Sequence, residues 1–129
     1  MAKKVNSRLG KTTIFWAGVG ILLAAIFIFS FYPSRKGLTL IIDYGGGDIR
    51  TFKTSYQDGL TAWDMLQQAN ANYQIVLEPE TDFRPKAIGE FKNGTGGKHW
   101  VLYKNGRRQE ASPIQTDLSS GEIIRFRFE

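Results

Sequence analysis

The segment DGLTAWDMLQQANANY, residues 58–73, decides the fold because it carries the helix signals of the C-terminal part of the chain. Thr61 is a favourable N-cap, and Asp64 stands at the third helical position, where the helix dipole favours a carboxylate. Apolar residues then follow the i, i+3, i+4, i+7 spacing of one helix face: Ala62, Met65, Leu66 and Ala69. The segment therefore predicts an amphipathic helix that ends at Asn70 or Asn72.

Two segments with strand periodicity precede this helix. In LTLIIDY, residues 38–44, the even-numbered side chains are apolar, which is typical of a strand with one buried face. The loop GGGD, residues 45–48, separates this segment from IRTFKTS, residues 49–55, which has the composition of a second strand. The two segments predict a β-hairpin directly before the helix.

The residues after the helix predict further strands. YQIVLEP (73–79) and KAIGEF (86–91) are short candidates, and the prolines around them weaken the pattern. LSSGEIIRFRFE (118–129) begins with a turn and then places apolar side chains on one face of a strand: Ile124, Phe126 and Phe128. Several strands and one helix predict an α+β fold for residues 38–129.

The N-terminal third has a different character. Residues 14–32, IFWAGVGILLAAIFIFSFY, contain no charged side chain, and a helix of this length covers roughly 28 Å, close to the apolar thickness of a bilayer. The run is longer than the apolar core of a signal peptide, so an uncleaved anchor is favoured over a cleaved leader. We therefore predict a single transmembrane helix over 14–32, with a basic segment (1–13) before it and a linker (33–37) after it.

The basic residues give the orientation of this helix. Four of the 17 basic residues precede the span, at Lys3, Lys4, Arg8 and Lys11, whereas Arg35 and Lys36 follow it. Because cytoplasmic flanks are the more basic ones, residues 1–13 are expected in the cytoplasm and residues 38–129 on the extracytoplasmic side of the cell membrane.

Composition excludes several functional classes. After the four leading basic residues, 13 basic and 12 acidic residues remain, so the body is nearly neutral and a nucleic-acid partner is not expected. The chain has no cysteine, which excludes disulfides, iron–sulfur clusters and thiolate zinc sites. Its single histidine has no evident catalytic partner, and its carboxylates are scattered. We predict no enzyme activity, no catalytic residue and no metal site.

Four segments resemble the transcobalamin C-terminal-like β-grasp family: GLTAWDMLQQA, AIGEF, GGKHWVLYKNG and LSSGEIIRFRF. The residues that match the family pattern are Thr61, Asp64, Leu66, Trp100, Tyr103, Asn105, Gly106, Gly121, Glu122, Ile124 and Phe126. His99 departs from it, since the family often has an aromatic residue there. The resemblance covers nearly all of residues 38–129 and implies a mixed sheet that wraps one helix. In the cobalamin carriers of this family the domain caps the corrinoid beside a larger helical domain, and the resemblance does not extend to that domain.

The segment KHWVLYKNGRR, residues 98–108, is the expected recognition site. Asn105-Gly106 is a strong signal for a tight hairpin turn, with a return strand beginning at RRQE (107–110). Aromatic residues and arginines anchor many binding surfaces, and the ligand-binding candidates are His99, Trp100, Tyr103, Asn105 and Arg107. Alternation places Trp100 on the face opposite His99 and Tyr103, and Trp100 also fits a role in the core.

Three functions are compatible with these features. The favoured one is a membrane-anchored extracytoplasmic module that binds a protein partner or a small-molecule ligand and needs no cofactor. The second is binding of cobalamin or a related small ligand. The third is an accessory subunit that its helix holds in a membrane complex.

Overall fold

The structure is a computed structural model. It describes residues 16–21, 23 and 36–129. The chain divides into two compact units, Met1–Ser34 and Arg35–Glu129. The described residues of the first unit are helical.

Most of the predicted membrane anchor lies outside the described residues. This holds for the basic segment 1–13, for the spanning helix 14–32 apart from the residues named above, and for linker positions 33–35. Among the residues that the structure describes, no helix is long and apolar enough to cross a membrane.

The second unit is a mixed α+β structure, as the sequence predicts, but its strands form two sheets and not one. Its strands and helix are β1 (Leu38–Asp43), β2 (Ile49–Thr54), α1 (Ala62–Tyr73), β3 (Leu77–Pro79), β4 (Pro85–Ile88), β5 (Phe91–Lys92), β6 (Trp100–Lys104), β7 (Arg107–Arg108) and β8 (Ile123–Phe128). Short 3₁₀ turns occupy Thr95–Gly97 and Pro113–Gln115.

The larger sheet has the strand order β2-β1-β8-β6-β7. Strand β1 pairs antiparallel with β2 and parallel with β8, and β6 pairs antiparallel with both β8 and β7. The first and last strands of the unit are therefore neighbours within the sheet. The smaller antiparallel sheet has the order β3-β4-β5.

Helix α1 begins where the sequence predicts. The Thr61 hydroxyl accepts a hydrogen bond from the Asp64 N–H at 3.2 Å, and the Asp64 carboxylate accepts one from the Thr61 N–H at 2.8 Å. This reciprocal capping box satisfies two backbone donors that the first turn leaves unpaired.

The end of α1 was predicted incorrectly. The helix continues through Asn70 and Asn72 to Tyr73, and Gln74 takes the left-handed conformation with φ of 54°. The Asn70 side chain donates to the carbonyl of Ile75, so it stabilises the chain beyond the helix rather than ending it. The strand predicted from residue 73 consequently begins only at Leu77.

The core lies between α1 and one face of the larger sheet. Alternation along β1, β6 and β8 predicted this face correctly. Its side chains are buried in one cluster: Leu38, Leu40, Ile42, Trp100, Leu102, Ile124, Phe126 and Phe128. The helix contributes Ala62, Trp63, Met65, Leu66 and Ala69 to the same cluster. The odd-numbered residues of these strands therefore lie on the opposite, outer face.

Two other strand predictions need correction. The segment 86–91 forms parts of two strands, because Gly89 takes a φ of 61° and turns the chain between β4 and β5. The predicted return strand 107–110 stops at Arg108. Beyond it, the Arg84 guanidinium donates to the Glu110 carbonyl at 2.7 Å, which ties this segment to residues outside the larger sheet.

Candidate functional site

The β6–β7 hairpin borders two concave surfaces. The outer-face pocket has a volume of about 360 Å³ and is lined by Ile41, Tyr103, Asn105, Gly106, Ile123, Arg125 and Arg127. The edge cleft has a volume of about 230 Å³ and is lined by Arg84, Pro85, His99, Trp100, Val101, Leu102, Arg108, Gln109, Glu110, Ala111, Pro113 and Phe126.

The outer-face pocket is built by the register of three adjacent strands. Arg125 on β8 is the pairing partner of Ile41 on β1 and of Tyr103 on β6. Directly opposed side chains on one sheet face lie about 5 Å apart at Cβ. Arg125 therefore lies between an aliphatic and an aromatic residue on the outer face, and all three residues are half-buried.

The two arginines of the pocket differ in their ion pairs. Arg127 lies 3.7 Å from the carboxylate of Asp43 and 3.3 Å from that of Glu129. Arg125 has no carboxylate within ion-pair distance among residues 36–129. A planar guanidinium without an acidic partner suits a carboxylate or phosphate group.

Tyr103 contributes a fixed aromatic wall. Its hydroxyl donates a hydrogen bond to the Glu129 carboxylate. This hydrogen bond raises the pKa of the Tyr103 phenol, with smaller contributions from desolvation and from the negative charge of Glu129. The phenol therefore stays protonated at neutral pH and acts as a donor, not as a base.

Asn105 lines the pocket but has a clear structural role. Asn105 and Gly106 have φ values of 48° and 77°, as a tight hairpin turn with two positive φ angles requires. The Asn105 side-chain oxygen accepts from the Ile123 N–H at 2.9 Å, and its amide donates to Glu122 at 3.4 Å. The turn predicted from Asn-Gly is confirmed, and the side chain fastens it to β8.

His99 and Trp100 line the edge cleft instead. His99 is exposed, whereas Trp100 is only 8% exposed and its indole N–H donates to the Phe91 carbonyl at 2.8 Å. The Trp100 ring packs against Tyr44 and Phe128, so it belongs mainly to the core.

The five predicted ligand-binding residues thus do not converge on one surface. His99 and Trp100 line the edge cleft, Tyr103 and Asn105 line the outer-face pocket, and the exposed Arg107 lines neither.

Sequence reasoning identified only two lining residues of each surface. Ile41, Arg125 and Arg127 could have been found, because they occupy the outward positions of strands whose inward positions were recognised. Arg84 lies on a loop distant in sequence and gives no comparable signal. Within the described part of the chain, no group of three or more His, Asp or Glu side chains could hold a metal ion.

No family model matches the chain, and no curated protein matches it. Among solved structures, it is similar to a protein from Ruminococcus gnavus ATCC 29149 described as a "putative metal binding protein". The TM-score is 0.56 at 14% identity, over 73% of this chain and 96% of that one. At this identity the similarity shows the fold alone.

Proposed function

We propose that the chain is a single-pass membrane protein whose extracytoplasmic domain binds a ligand at the outer-face pocket and performs no chemistry. The observation that carries the proposal is the position of Arg125 between Ile41 and Tyr103, without an acidic partner among residues 36–129. A ligand with an acidic group and an apolar body would match this surface, because the acidic group can bind Arg125 and the apolar body can pack on Ile41 and Tyr103.

The β-grasp fold and the transcobalamin-like resemblance belong to the same proposal. A parallel pair of first and last strands, with a helix covering one face of the sheet, is the arrangement expected of a β-grasp domain. In this arrangement α1 covers the inner face and leaves the outer face accessible to a ligand.

The pocket fits a small acid better than a nucleic acid. Its volume of about 360 Å³ lies in the range of small-molecule sites. A nucleic acid requires an extended basic surface, whereas the residues after the predicted span are nearly charge-balanced.

The binding test uses the full chain, ¹⁵N-labelled and incorporated in nanodiscs. Phenylpropionate is titrated as an acidic aromatic probe, and phenylpropylamine is its cationic counterpart. We expect the acid alone to shift the amide resonances of Ile41, Tyr103 and Arg125. Equal shifts with both probes, or shifts elsewhere only, would contradict the proposal.

Matched variants separate this pocket from general electrostatic attraction. Arg125→Gln should weaken phenylpropionate binding about tenfold, since it removes the central charge-assisted hydrogen bonds. Lys53→Gln removes the same charge from the same sheet face, two strands away, and should leave the affinity within about twofold. Equal losses in the two variants would favour nonspecific attraction.

Two further measurements separate the alternative functions. A shift in the visible spectrum of an added corrinoid would favour a cobalamin-binding protein. Failure of a membrane complex to assemble after replacement of residues 14–32 by an unrelated span would favour an accessory subunit. Protease protection in intact cells tests the proposed topology, because residues 38–129 should be digested from outside.

A further inference from the structure

On the edge of β6 that faces away from β8, part of the backbone makes no hydrogen bonds to another strand. His99 exchanges both backbone hydrogen bonds with Glu129, so alternate residues of β6 point their polar groups toward β8. Trp100 and Leu102 therefore point theirs to the opposite side, into the edge cleft.

Other groups already form hydrogen bonds to the backbone at both ends of this part of the edge. The Trp100 N–H donates to the side-chain oxygen of Asn93 at 2.8 Å, and the Leu102 carbonyl accepts from the Gln109 N–H at 2.8 Å. Between these bonds lie the Trp100 carbonyl and the Leu102 N–H. Neither has a hydrogen-bond partner within residues 36–129.

The far wall of the cleft is held apart from β6. Arg84 donates to the Glu110 carbonyl at 2.7 Å, and its guanidinium also pairs with Asp82 at 3.1 Å. These contacts direct the segment after β7 away from the strand edge, so the hairpin does not close over Leu102. A free carbonyl and a free N–H thus face a gap of about 230 Å³.

We propose that the edge cleft binds the main chain of an extended segment of a partner protein. One residue of the partner donates its N–H to the Trp100 carbonyl and accepts the Leu102 N–H at its own carbonyl. An acceptor and a donor two residues apart on one strand edge are the complement of one residue in an adjacent parallel strand, so the partner segment runs parallel to β6.

The charges around the cleft select an acidic partner segment. Two guanidinium groups, those of Arg84 and Arg108, line it, and the single acidic lining residue is Glu110. Each arginine has one carboxylate beside it, since Arg84 lies 3.1 Å from Asp82 and Arg108 lies 3.4 Å from Glu110. Both ion pairs are exposed to solvent, so they weaken the attraction of the two guanidinium groups for a further acidic group without abolishing it. Acidic side chains beside the paired residue would lie near these cations.

The first test concerns this part of the β6 edge itself. In the full chain in nanodiscs, the Leu102 amide should exchange with deuterium at least about tenfold faster than those of Val101 and Tyr103, which bond to β8. Exchange of Leu102 as slow as that of its neighbours would overturn the proposal, because the donor would already be occupied.

The second test adds a defined peptide. The probe is acetyl-Glu-Val-Glu-Val-Glu-amide, added up to about 1 mM, the range of weak recognition. We expect it to shift the Leu102 amide resonance and to slow its exchange. A peptide with N-methylated valines keeps the side chains but loses the donors, and it should not bind. Absence of a Leu102 shift with the parent peptide, or equal binding of both peptides, overturns the proposal.

A matched pair of charge reversals tests the acidic preference. Arg108→Glu changes a lining residue and should weaken binding of the acidic peptide about fivefold to tenfold. Arg107→Glu makes the same change on the same strand, outside the cleft, and should have an effect below about twofold. Equal effects of the two substitutions would overturn the selection of acidic partners.

This site is independent of the outer-face pocket. The Arg125→Gln substitution, which should weaken binding of the small acid about tenfold, should leave peptide binding at the edge cleft unchanged. Peptide-induced shifts confined to Ile41 and Arg125 would instead place the peptide in the outer-face pocket and overturn the edge-cleft proposal.

Discussion

The two faces of the larger sheet are made by the same strands but have opposite roles. Ile124 and Phe126 point to the inner face and are fully buried, whereas Ile123 on the outer face is 46% exposed and Arg125 is half-buried. The inner face supplies the apolar burial that stabilises the unit. The outer face is therefore free to carry charges and aromatic groups whose loss the fold can tolerate.

The largest expected contrast comes from truncating one residue on each face. Phe126→Ala should lower the free energy of unfolding by about 3–5 kcal/mol, because it leaves a cavity under α1. Ile123→Ala on the same strand should cost less than about 1 kcal/mol. Urea denaturation measures both values, and similar losses would contradict the division between the faces.

Loss of the capping box of α1, the helix that packs on the inner face, should lower the free energy of unfolding by a smaller amount. Thr61→Ala removes the side-chain acceptor for the Asp64 N–H and should cost about 1 kcal/mol. Thr81→Ala, in an exposed turn, serves as the control and should lie within about 0.5 kcal/mol of the parent. A loss for Thr61→Ala no larger than for the control would show that the cap does not anchor the helix.

The centre of the outer face should be nearly neutral for stability. Arg125→Gln removes a guanidinium without an acidic partner among residues 36–129, so the free energy of unfolding should change by less than about 0.5 kcal/mol. Calorimetry or urea denaturation provides the measurement. A large loss, comparable with that of Phe126→Ala, would mean that Arg125 serves the fold.

The smallest expected effect is a titration on the outer face. The hydrogen bond to Glu129 raises the pKa of Tyr103 above its ordinary value of 10.0. The contribution of this hydrogen bond to stability is therefore complete below pH 10.0, and it is lost as the pH rises through the pKa of Tyr103 in the folded state. Because the chain has five tyrosines, the NMR resonances of the Tyr103 ring are the signal that follows this step.

Two carboxylate substitutions check the origin of the shift. Glu129→Gln should lower the Tyr103 titration midpoint, since it removes the carboxylate acceptor. Glu122→Gln, whose side chain contacts the Asn105 turn, should leave the midpoint unchanged. An unchanged midpoint in Glu129→Gln would exclude the hydrogen bond as the cause.

The inner face could be predicted from the sequence because it depends on local alternation. The even-numbered residues of 38–44 and of 124–128 gave the core, and the Asn-Gly pair gave the hairpin turn. The start of α1 was equally local, since a capping box lies within four residues. The end of α1 could not be predicted in this way, because Gln74 rather than an asparagine takes the left-handed conformation.

The candidate site could be predicted only in part because it depends on distant pairings. Nothing in the alternation of residues 123–128 distinguishes Arg125 from Arg127. Part of the difference comes from Glu129, two residues after Arg127 in the chain. The other part arises only when Asp43, from the first strand, lies beside Arg127. The edge cleft likewise depends on Arg84 reaching Glu110, which lies 26 residues further along the chain.

The parallel pairing of β1 with β8 has a consequence for biosynthesis. Strand β8 is made last, yet it lies in the interior of the sheet between β1 and β6. During translation, β1 and β2 can form a hairpin, but their apolar side stays uncovered until residues 123–128 leave the ribosome. Until β8 pairs with β1, this apolar side can associate with other newly made chains, so the late pairing of these two strands sets the period in which self-association competes with folding.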